Sequence, residues 1–182
     1  PMPTMGGLAI FLSFNFVNFF LLRQQYPTQQ LWTLLVAAIV ILATGIIDDI
    51  YELSPRQKLI GETLAALVVF FLCGIKMTTL TLPFLGSIEL GWLSLPVTVI
   101  WILAITNAVN LIDGLDGLAA GVAIIALATS GITGYLFLNV AGTYVSIMMF
   151  TLVAAIAGFL PYNFHPAKIY LGDTGALFIG FM

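Results

Sequence analysis

The stretch "NAVNLIDGLDGLAAG", residues 107–121, sets amide, carboxylate and glycine residues between two segments that are otherwise apolar. Asn107, Asn110 and Asp113 recur at every third position, so a helix would carry them on one face, and two glycines then flank Asp116. Small residues and asparagines often pack membrane helices together, which would explain Asn107 and the glycines. Packing leaves both aspartates unexplained, so the stretch predicts one wall of a functional site.

The composition of the whole chain is that of an integral membrane protein. Of its 182 residues, 61% are hydrophobic and 7% are charged, against about 25% charged in a typical soluble domain. Cys73 is the only cysteine, which excludes an intrachain disulfide and a cysteine metal cluster. The first residues lack the features of a signal peptide and the last ones lie in an apolar run. We therefore expect residues 1–182 to be a single membrane-embedded domain, truncated at both ends.

Six windows are long and apolar enough to span a bilayer, which takes about 20 helical residues, with about 17 as the lower limit. They are residues 6–22, 31–47, 59–75, 93–111, 118–138 and 144–160, and a seventh begins near Ala176. Glu62 is the only charged residue inside these windows, as expected where an unpaired charge is costly. The sequence predicts an all-α polytopic transmembrane helix bundle. Two alternating runs around a turn within residues 76–92 add a small extracytoplasmic β-hairpin.

Counting the crossings assigns each loop to one side of the membrane. The N-terminus and the loops near residues 48–58, 112–117 and 161–175 fall on one side, as does every acidic residue except Glu89. The five Lys and Arg residues divide three to two in favour of that side, which the positive-inside rule assigns to the cytoplasm. We therefore expect a multi-pass cell-membrane protein whose site lies on the cytoplasmic face.

A second polar stretch, "GIIDDIYELSPRQK", sets Asp48 and Asp49 at the end of the second window. Adjacent carboxylates repel each other unless a cation, a metal or a hydrogen-bond donor offsets their charge. A solvated helix terminus is the alternative, although an acidic pair is unfavourable at a helix C-terminus. Lys58, immediately before the next window, can pair with Glu62 one turn later, extend to the membrane boundary or bind a phosphate.

A third stretch, "NFHPAKIYLGDTGALFIGF", contributes His165, Lys168 and Asp173. Asp173 could be a plain N-cap of the helix that follows, and a histidine before a proline is more typical of a loop than of a ligand. Together with the other aspartates it makes an oxygen-rich set, which suits Mg²⁺ that shares its ligands with substrate phosphates. The G-x-x-x-x-G-K-[ST] motif is absent from the sequence, so phosphate chemistry of another kind than a P-loop ATPase is predicted.

These three stretches and "PTMGG" near the N-terminus resemble, in order and spacing, the polyprenyl-phosphate N-acetylhexosamine-1-phosphate transferases of glycosyltransferase family 4. The resemblance implies transfer of a hexosamine 1-phosphate from a UDP-sugar to a polyprenyl phosphate, with Mg²⁺ as cofactor and UMP as product. The short gap before Lys58 is similar to the bacterial branch that uses UDP-GlcNAc and undecaprenyl phosphate and starts the synthesis of teichoic acid and other surface polysaccharides. The phospho-N-acetylmuramoyl-pentapeptide transferases are the alternative branch.

Carried over position by position, the resemblance also implies roles for individual residues. They are the catalytic pair Asp48 and Asp49, the substrate-binding residues Lys58, Asp113 and Asp116, and the metal ligands Asn110 and Asp173. UDP-GlcNAc, undecaprenyl phosphate and the lipid bilayer are the implied partners. A homodimer is an open alternative, and no nucleic-acid partner is predicted.

Two other classes of membrane protein also carry aspartates in their helices. An ion-coupled membrane transporter would line its pathway with acids at mid-membrane depth, whereas these acids lie at helix ends on one side. An intramembrane aspartyl protease would need the motif G-x-G-D, and Tyr170 stands where its first glycine should be. The placement of the acids therefore favours the transferase.

Overall fold

The computed structural model describes residues 3–21, 28–82, 86–138 and 140–182, and seven α-helices and one β-hairpin lie in these ranges. The helices are α1 (Gly6–Phe16), α2 (Thr28–Tyr51), α3 (Pro55–Val68), α4 (Ser94–Ile112), α5 (Leu118–Phe137), α6 (Val140–Asn163) and α7 (Gly172–Phe181). π-helical turns extend α1 through Val17–Leu21 and α3 through Val69–Cys73, and a 3₁₀ turn at Gly91–Leu93 leads into α4.

Four helices in the described ranges are long and apolar enough to cross a membrane. They are Gln29–Tyr51, Gly91–Ile112, Leu118–Phe137 and Gly142–Asn163. The helical segments that begin at Gly6 and Pro55 coincide with the two remaining predicted windows, but the first is shorter and the second has charged residues in its first two turns. The all-α polytopic bundle is confirmed, and four of the six predicted spans meet this criterion of length and composition.

The predicted hairpin is also present. Strand β1 (Thr79–Leu82) pairs antiparallel with β2 (Gly86–Glu89) over the full length of both, while its tip lies outside the described residues. Two side chains at the start of α4 hold the segment before β1. The Ser94 hydroxyl donates to the Met77 carbonyl at 2.6 Å, and Thr98 Oγ1 accepts from the Met77 N–H at 2.9 Å. These bonds satisfy backbone groups that the hairpin leaves unpaired.

Helix α7 lies at the centre of the bundle although it has only ten residues. It packs on α1, α2 and α4, and residues 174–179 are all buried. The ring of Phe178 meets Phe11 and Phe14 of α1 edge to face, with centroids 5.4 Å and 6.0 Å apart. A helix that is apolar on every side is stable only when neighbours cover all of it, so the position of α7 is fixed by three helices at once.

Glycines allow these helices to approach α7 with their backbones in contact. A Cβ on Gly7 would lie 2.1 Å from the Cα of Gly175, and a Cβ on Gly45 would lie 2.5 Å from the Cα of Thr174. Neither neighbour is the flexible end of a side chain, so the helices would have to separate to admit a methyl group. Gly7, Gly45 and Gly175 are therefore packing residues.

We expect Gly7→Ala in the full-length protein to lower the stability by about 2 kcal/mol and the midpoint of thermal unfolding in detergent by about 5 °C. The matched control is Gly158→Ala in α6, where an added Cβ meets nothing within 4 Å. The control should leave the midpoint unchanged or raise it slightly, because alanine favours a helix more than glycine does. Equal midpoints for the two variants would contradict the close packing of α1 on α7.

Candidate active site

The ends of several helices meet at one end of the bundle. Backbone hydrogen bonds join the start of the chain to the loop before α7. The N–H groups of Gly6 and Gly7 donate to the carbonyls of Tyr170 and Leu171 at 3.0 Å and 3.1 Å, and the N–H of Tyr170 donates to Pro3 at 3.0 Å. The last residues of α2 and α4 contact the first residues of α3 and α7 in the same place. The three polar stretches of the sequence are thus brought together, as predicted.

The turn between α2 and α3 sets Asp48 opposite Lys58. Ser54 caps α3, with its N–H donating to Gln57 Oε1 at 3.0 Å in a capping box, and Pro55 takes the first helical position. Asp48 Oδ1 accepts from the N–H of Leu53 in the same turn at 2.8 Å. Its other oxygen, Oδ2, lies 2.6 Å from Lys58 Nζ. The local start of α3 therefore fixes the direction of the lysine side chain.

Lys58 binds three partners from three different helices. Besides Asp48, its Nζ lies 2.6 Å from Asp173 Oδ1 and 3.1 Å from Asn110 Oδ1. Asn110 Nδ2 in turn donates to Asp173. Glu62, the other partner considered for Lys58, forms no ion pair with it among the described residues. The lysine is consequently the shared cation of two carboxylates rather than a boundary residue that extends to the membrane surface.

Asp49 has a different neighbour from Asp48. Its Oδ1 accepts from the N–H of Asp173 at 2.8 Å, and its Oδ2 accepts from the N–H of Thr174 at 3.0 Å and from the Thr174 hydroxyl. These are donors that the first turn of α7 leaves free, and a negative charge is favoured at that end of the helix. Asp49 is therefore the cap of α7, and the carboxylate of Asp173 is turned instead towards Lys58 and Asn110.

Gly172 leaves room for the carboxylate of Asp49 to cap α7. Its φ angle is +72°, and a Cβ there would lie 2.8 Å from Asp49 Oδ2. A larger residue would be strained and would push the carboxylate away from the N–H groups. Steric exclusion thus explains why the residue before Asp173 is a glycine.

Asp113 lies beside a polar cavity of about 450 Å³ that Asp49, Asn110, Asp116 and Asp173 also line. Burial, followed by the charges of Asp173 and Asp49, raises the pKa of Asp113 to about 7. No hydrogen bond to its carboxyl group is present in the described part of the chain. A cation in this cavity would lower the pKa of Asp113 again, because it would offset the repulsion.

Asp116 both lines the cavity and joins two loops. Its Oδ2 accepts from the N–H of Ala167 at 3.1 Å and lies 3.0 Å from His165 Nδ1. The backbone N–H of Ala167, and then His165, lower the pKa of Asp116 from its usual value. The other oxygen of Asp116, Oδ1, has no hydrogen-bond partner among the described residues, and Asp116 lines the polar cavity. This residue is therefore both a loop tie and a lining group.

Asn163, at the end of α6, is a site residue that sequence reasoning missed. It is buried, its Oδ1 accepts from the N–H of Gly117, and its Nδ2 donates to the carbonyl of Ile169, each at 3.1 Å. The amide therefore ties the loop after α4 to the loop before α7. A polar residue at the buried end of an apolar helix was the signal in the sequence.

Two of the residues fit a divalent cation. Asn110 Oδ1 and Asp173 Oδ1 converge on one positive charge, the ammonium of Lys58, from two helices. No group of three His, Cys, Asp or Glu side chains arranged for a metal occurs in the described ranges. Two protein oxygens are nevertheless enough for Mg²⁺, which keeps several waters and takes further ligands from phosphates.

The chain is similar in sequence to known proteins. Residues 31–182 match the model of glycosyl transferase family 4. The chain is 45% identical to a probable undecaprenyl-phosphate N-acetylglucosaminyl 1-phosphate transferase of Bacillus subtilis, over 99% of this chain and 49% of the relative. It is 37% identical to a phospho-N-acetylmuramoyl-pentapeptide-transferase of Halalkalibacterium halodurans, over 98% of this chain and 58% of the relative.

A further phospho-N-acetylmuramoyl-pentapeptide-transferase, from Chlorobium phaeobacteroides, is 36% identical over 98% of this chain and 56% of the relative. The chain spans about half the length of the curated relatives it matches. The relatives of both branches are phosphosugar transferases by name, and the match extends from α2 through α7, across all of the clustered polar residues. This multi-pass membrane chain belongs to glycosyl transferase family 4.

Proposed function

We propose that the full-length protein transfers GlcNAc 1-phosphate from UDP-GlcNAc to undecaprenyl phosphate and releases UMP. The observation that carries the proposal is the position of Asn110 and Asp173, which line two separate cavities at once. A group held by these two residues would contact a ligand in either cavity. A transferase that joins two phosphorylated substrates needs this arrangement.

The two cavities differ in character. The first, of about 450 Å³, is lined mainly by polar groups, including Asp113, Asp116 and Asn163, and suits a nucleotide sugar. The second, of about 520 Å³, combines Lys58 with the apolar side chains of Leu53 and Leu59. Leu59 is exposed on α3, so a prenyl chain could lie in the bilayer while its phosphate reaches the lysine. We name the two the donor cavity and the acceptor cavity.

Asn110 and Asp173 would hold Mg²⁺ between the cavities. Mg²⁺ held there would supply positive charge to offset the negative charge of the donor diphosphate and of the departing UMP. Lys58 offsets the charge of the acceptor phosphate, and Asp48 keeps the lysine in place. Asp49 fixes the first turn of α7 and so the carboxylate of Asp173. Phosphoryl transfer depends mostly on such alignment and charge neutralisation.

The reaction is a direct displacement at the phosphorus that carries the sugar. An oxygen of the acceptor phosphate forms the new P–O bond, the bond to the UMP oxygen breaks, and its electron pair leaves with UMP. Both oxygens of Asp48 and both of Asp49 are already engaged with donors. This supports charge-offsetting and positioning roles for the pair, rather than attack on phosphorus by one of them.

The proposal includes the setting of the reaction. The single membrane-embedded transferase domain lies in the cell membrane with its site on the cytoplasmic face, where UDP-GlcNAc is available. The lipid-linked product would be the first intermediate of a cell-wall or surface polysaccharide of the teichoic acid type. The bilayer is the source of the acceptor lipid.

The test uses purified full-length protein in vesicles that contain undecaprenyl phosphate. Radiolabelled UDP-GlcNAc and, in parallel, UDP-N-acetylmuramoyl-pentapeptide are supplied with Mg²⁺. We expect label from UDP-GlcNAc in the lipid fraction and none from the pentapeptide donor. Label from the pentapeptide donor alone would assign the protein to the other branch, and no lipid-linked label from either donor would refute transferase activity.

A further inference from the structure

Glu62 is a buried acid that the proposed reaction does not use. It lies one turn beyond Lys58 on α3, and only 1% of its surface is exposed. Its Oε2 accepts from Asn107 Nδ2, while its Oε1 has no hydrogen-bond partner in the described part of the chain. An acid inside a membrane helix is costly, and an apolar residue of similar size would pack there at lower cost. The contact with Asn107 therefore needs an explanation.

The hydrogen bond that Asn107 donates to Glu62 fixes the orientation of the Asn107 amide. Asn107 Nδ2 donates to Glu62 and also to the carbonyl of Leu103, at 2.9 Å in the second case. Both N–H groups of the amide are thus used within the bundle, and its Oδ1 lies on the opposite side of the amide carbon. That oxygen accepts no hydrogen bond from the described residues. Asn107 lines the acceptor cavity beside Lys58, and Oδ1 is the polar side-chain atom of Asn107 that stays uncharged and unbonded within the described part of the bundle.

We propose that Asn107 binds the protonated oxygen of the acceptor phosphate and that Glu62 is its positioning residue. The inference rests on the proposed function. Without Mg²⁺, the described lining of the acceptor cavity carries three carboxylates, Asp48, Glu52 and Asp173, against a single ammonium. A singly protonated phosphate is repelled less by them than the doubly charged form. Its P–OH group needs an acceptor that brings no further negative charge, and Asn107 Oδ1 is such an acceptor.

The test compares substitutions at both positions in the full-length protein. Asn107→Leu and Glu62→Leu should each raise the KM for undecaprenyl phosphate about tenfold, the usual effect of losing one hydrogen bond to a charged ligand. They should weaken the binding of farnesyl phosphate, measured without nucleotide sugar, by the same factor. The KM for UDP-GlcNAc should stay within about twofold. Glu62→Gln should behave like the unsubstituted protein, because the side-chain oxygen of the glutamine can still accept the hydrogen bond from Asn107.

The matched control is Thr63→Val, next to Glu62. Among the described residues the Thr63 hydroxyl donates only to the Leu59 carbonyl, at 2.7 Å. The substitution should change neither KM. If the leucine variants do not fold, Asn107→Ala provides the same comparison, because alanine removes the amide and has a high helix propensity. A purely structural role for the pair would change both KM values alike without rescue by glutamine, and that result would overturn the inference.

The two proposals can fail separately. Lipid-linked product from every variant, with unchanged farnesyl phosphate binding, would overturn the roles of Asn107 and Glu62 and leave the proposed function intact. Absence of product from the unsubstituted protein, together with farnesyl phosphate binding that depends on Asn107, would refute the proposed function and retain the binding site.

Discussion

Asp173→Asn in the full-length protein should lower the rate of Mg²⁺-dependent UMP release by about a thousandfold. The substitution keeps the size of the side chain but removes the charge that Lys58 and the proposed metal share. It also replaces a carboxylate oxygen at the boundary of the donor and acceptor cavities. The measurement is UMP release at saturating concentrations of both substrates across a range of Mg²⁺ concentrations.

The matched control for Asp173 is Glu89→Gln, the same chemical change on an exposed carboxylate in the hairpin. It should leave the rate unchanged. Asp173→Asn should also keep its helical circular dichroism, because Asp49 caps α7 through backbone N–H groups that the substitution preserves. UMP release near the normal rate would contradict the assignment of Asp173 to the metal.

Lys58→Met should lower kcat by about a hundredfold and the stability by about 3 kcal/mol. The lysine is 14% exposed and its partner Asp48 is 7% exposed, so removing the ammonium leaves a carboxylate with little access to water. Asp173 would lose the same partner, although it is more exposed. Steady-state kinetics and thermal unfolding in detergent measure the two effects.

Two further variants separate charge pairing from catalysis at Lys58. Lys168→Met removes an exposed lysine that has no ion pair among the described residues, and it should change neither activity nor stability. The double variant Asp48→Asn with Lys58→Met should recover much of the lost stability, because the more buried of the two unpaired carboxylates is neutral, but not the activity. Recovery of both would contradict the role of Lys58 at the acceptor phosphate.

The helices and the hairpin could be predicted from sequence because lipid imposes a simple rule. Apolar windows of sufficient length gave the position of each helix, and the alternating runs around residues 83–85 gave the hairpin. The start of α7 was harder. The apolar window begins near Ala176 and Asp173 is a candidate N-cap by sequence, but the helix starts at Gly172 and Asp49 of another helix caps it. A cap contributed by a distant residue leaves no local signal.

The members of the site could also be predicted, but not their contacts. The count of crossings and the resemblance placed Asp48, Asp49, Lys58, Asn110 and Asp173 together, and the structure brings them together. The pair of adjacent aspartates gave no sign that one would hold the lysine and the other the start of α7. That division depends on the packing of α2 against both α3 and α7. A local sequence pattern does not contain this information.

Asn107 shows how the interpretation of a residue depends on its neighbours. In the sequence it is the member of its stretch that helix packing explains most simply. In the structure it bonds to Glu62, the one acid inside a predicted span, and lines the acceptor cavity. Each of the two polar residues is the hydrogen-bond partner of the other. Their pairing becomes visible only when α3 packs against α4.

The central claim is that a sugar phosphate, and not a sugar, moves to the lipid. The most direct measurement supplies the full-length protein with undecaprenyl phosphate, Mg²⁺ and UDP-GlcNAc labelled with ³²P at the phosphorus that carries the sugar. The account predicts that the label enters the lipid fraction and that the released nucleotide is unlabelled UMP. Label retained in water-soluble UDP would contradict it.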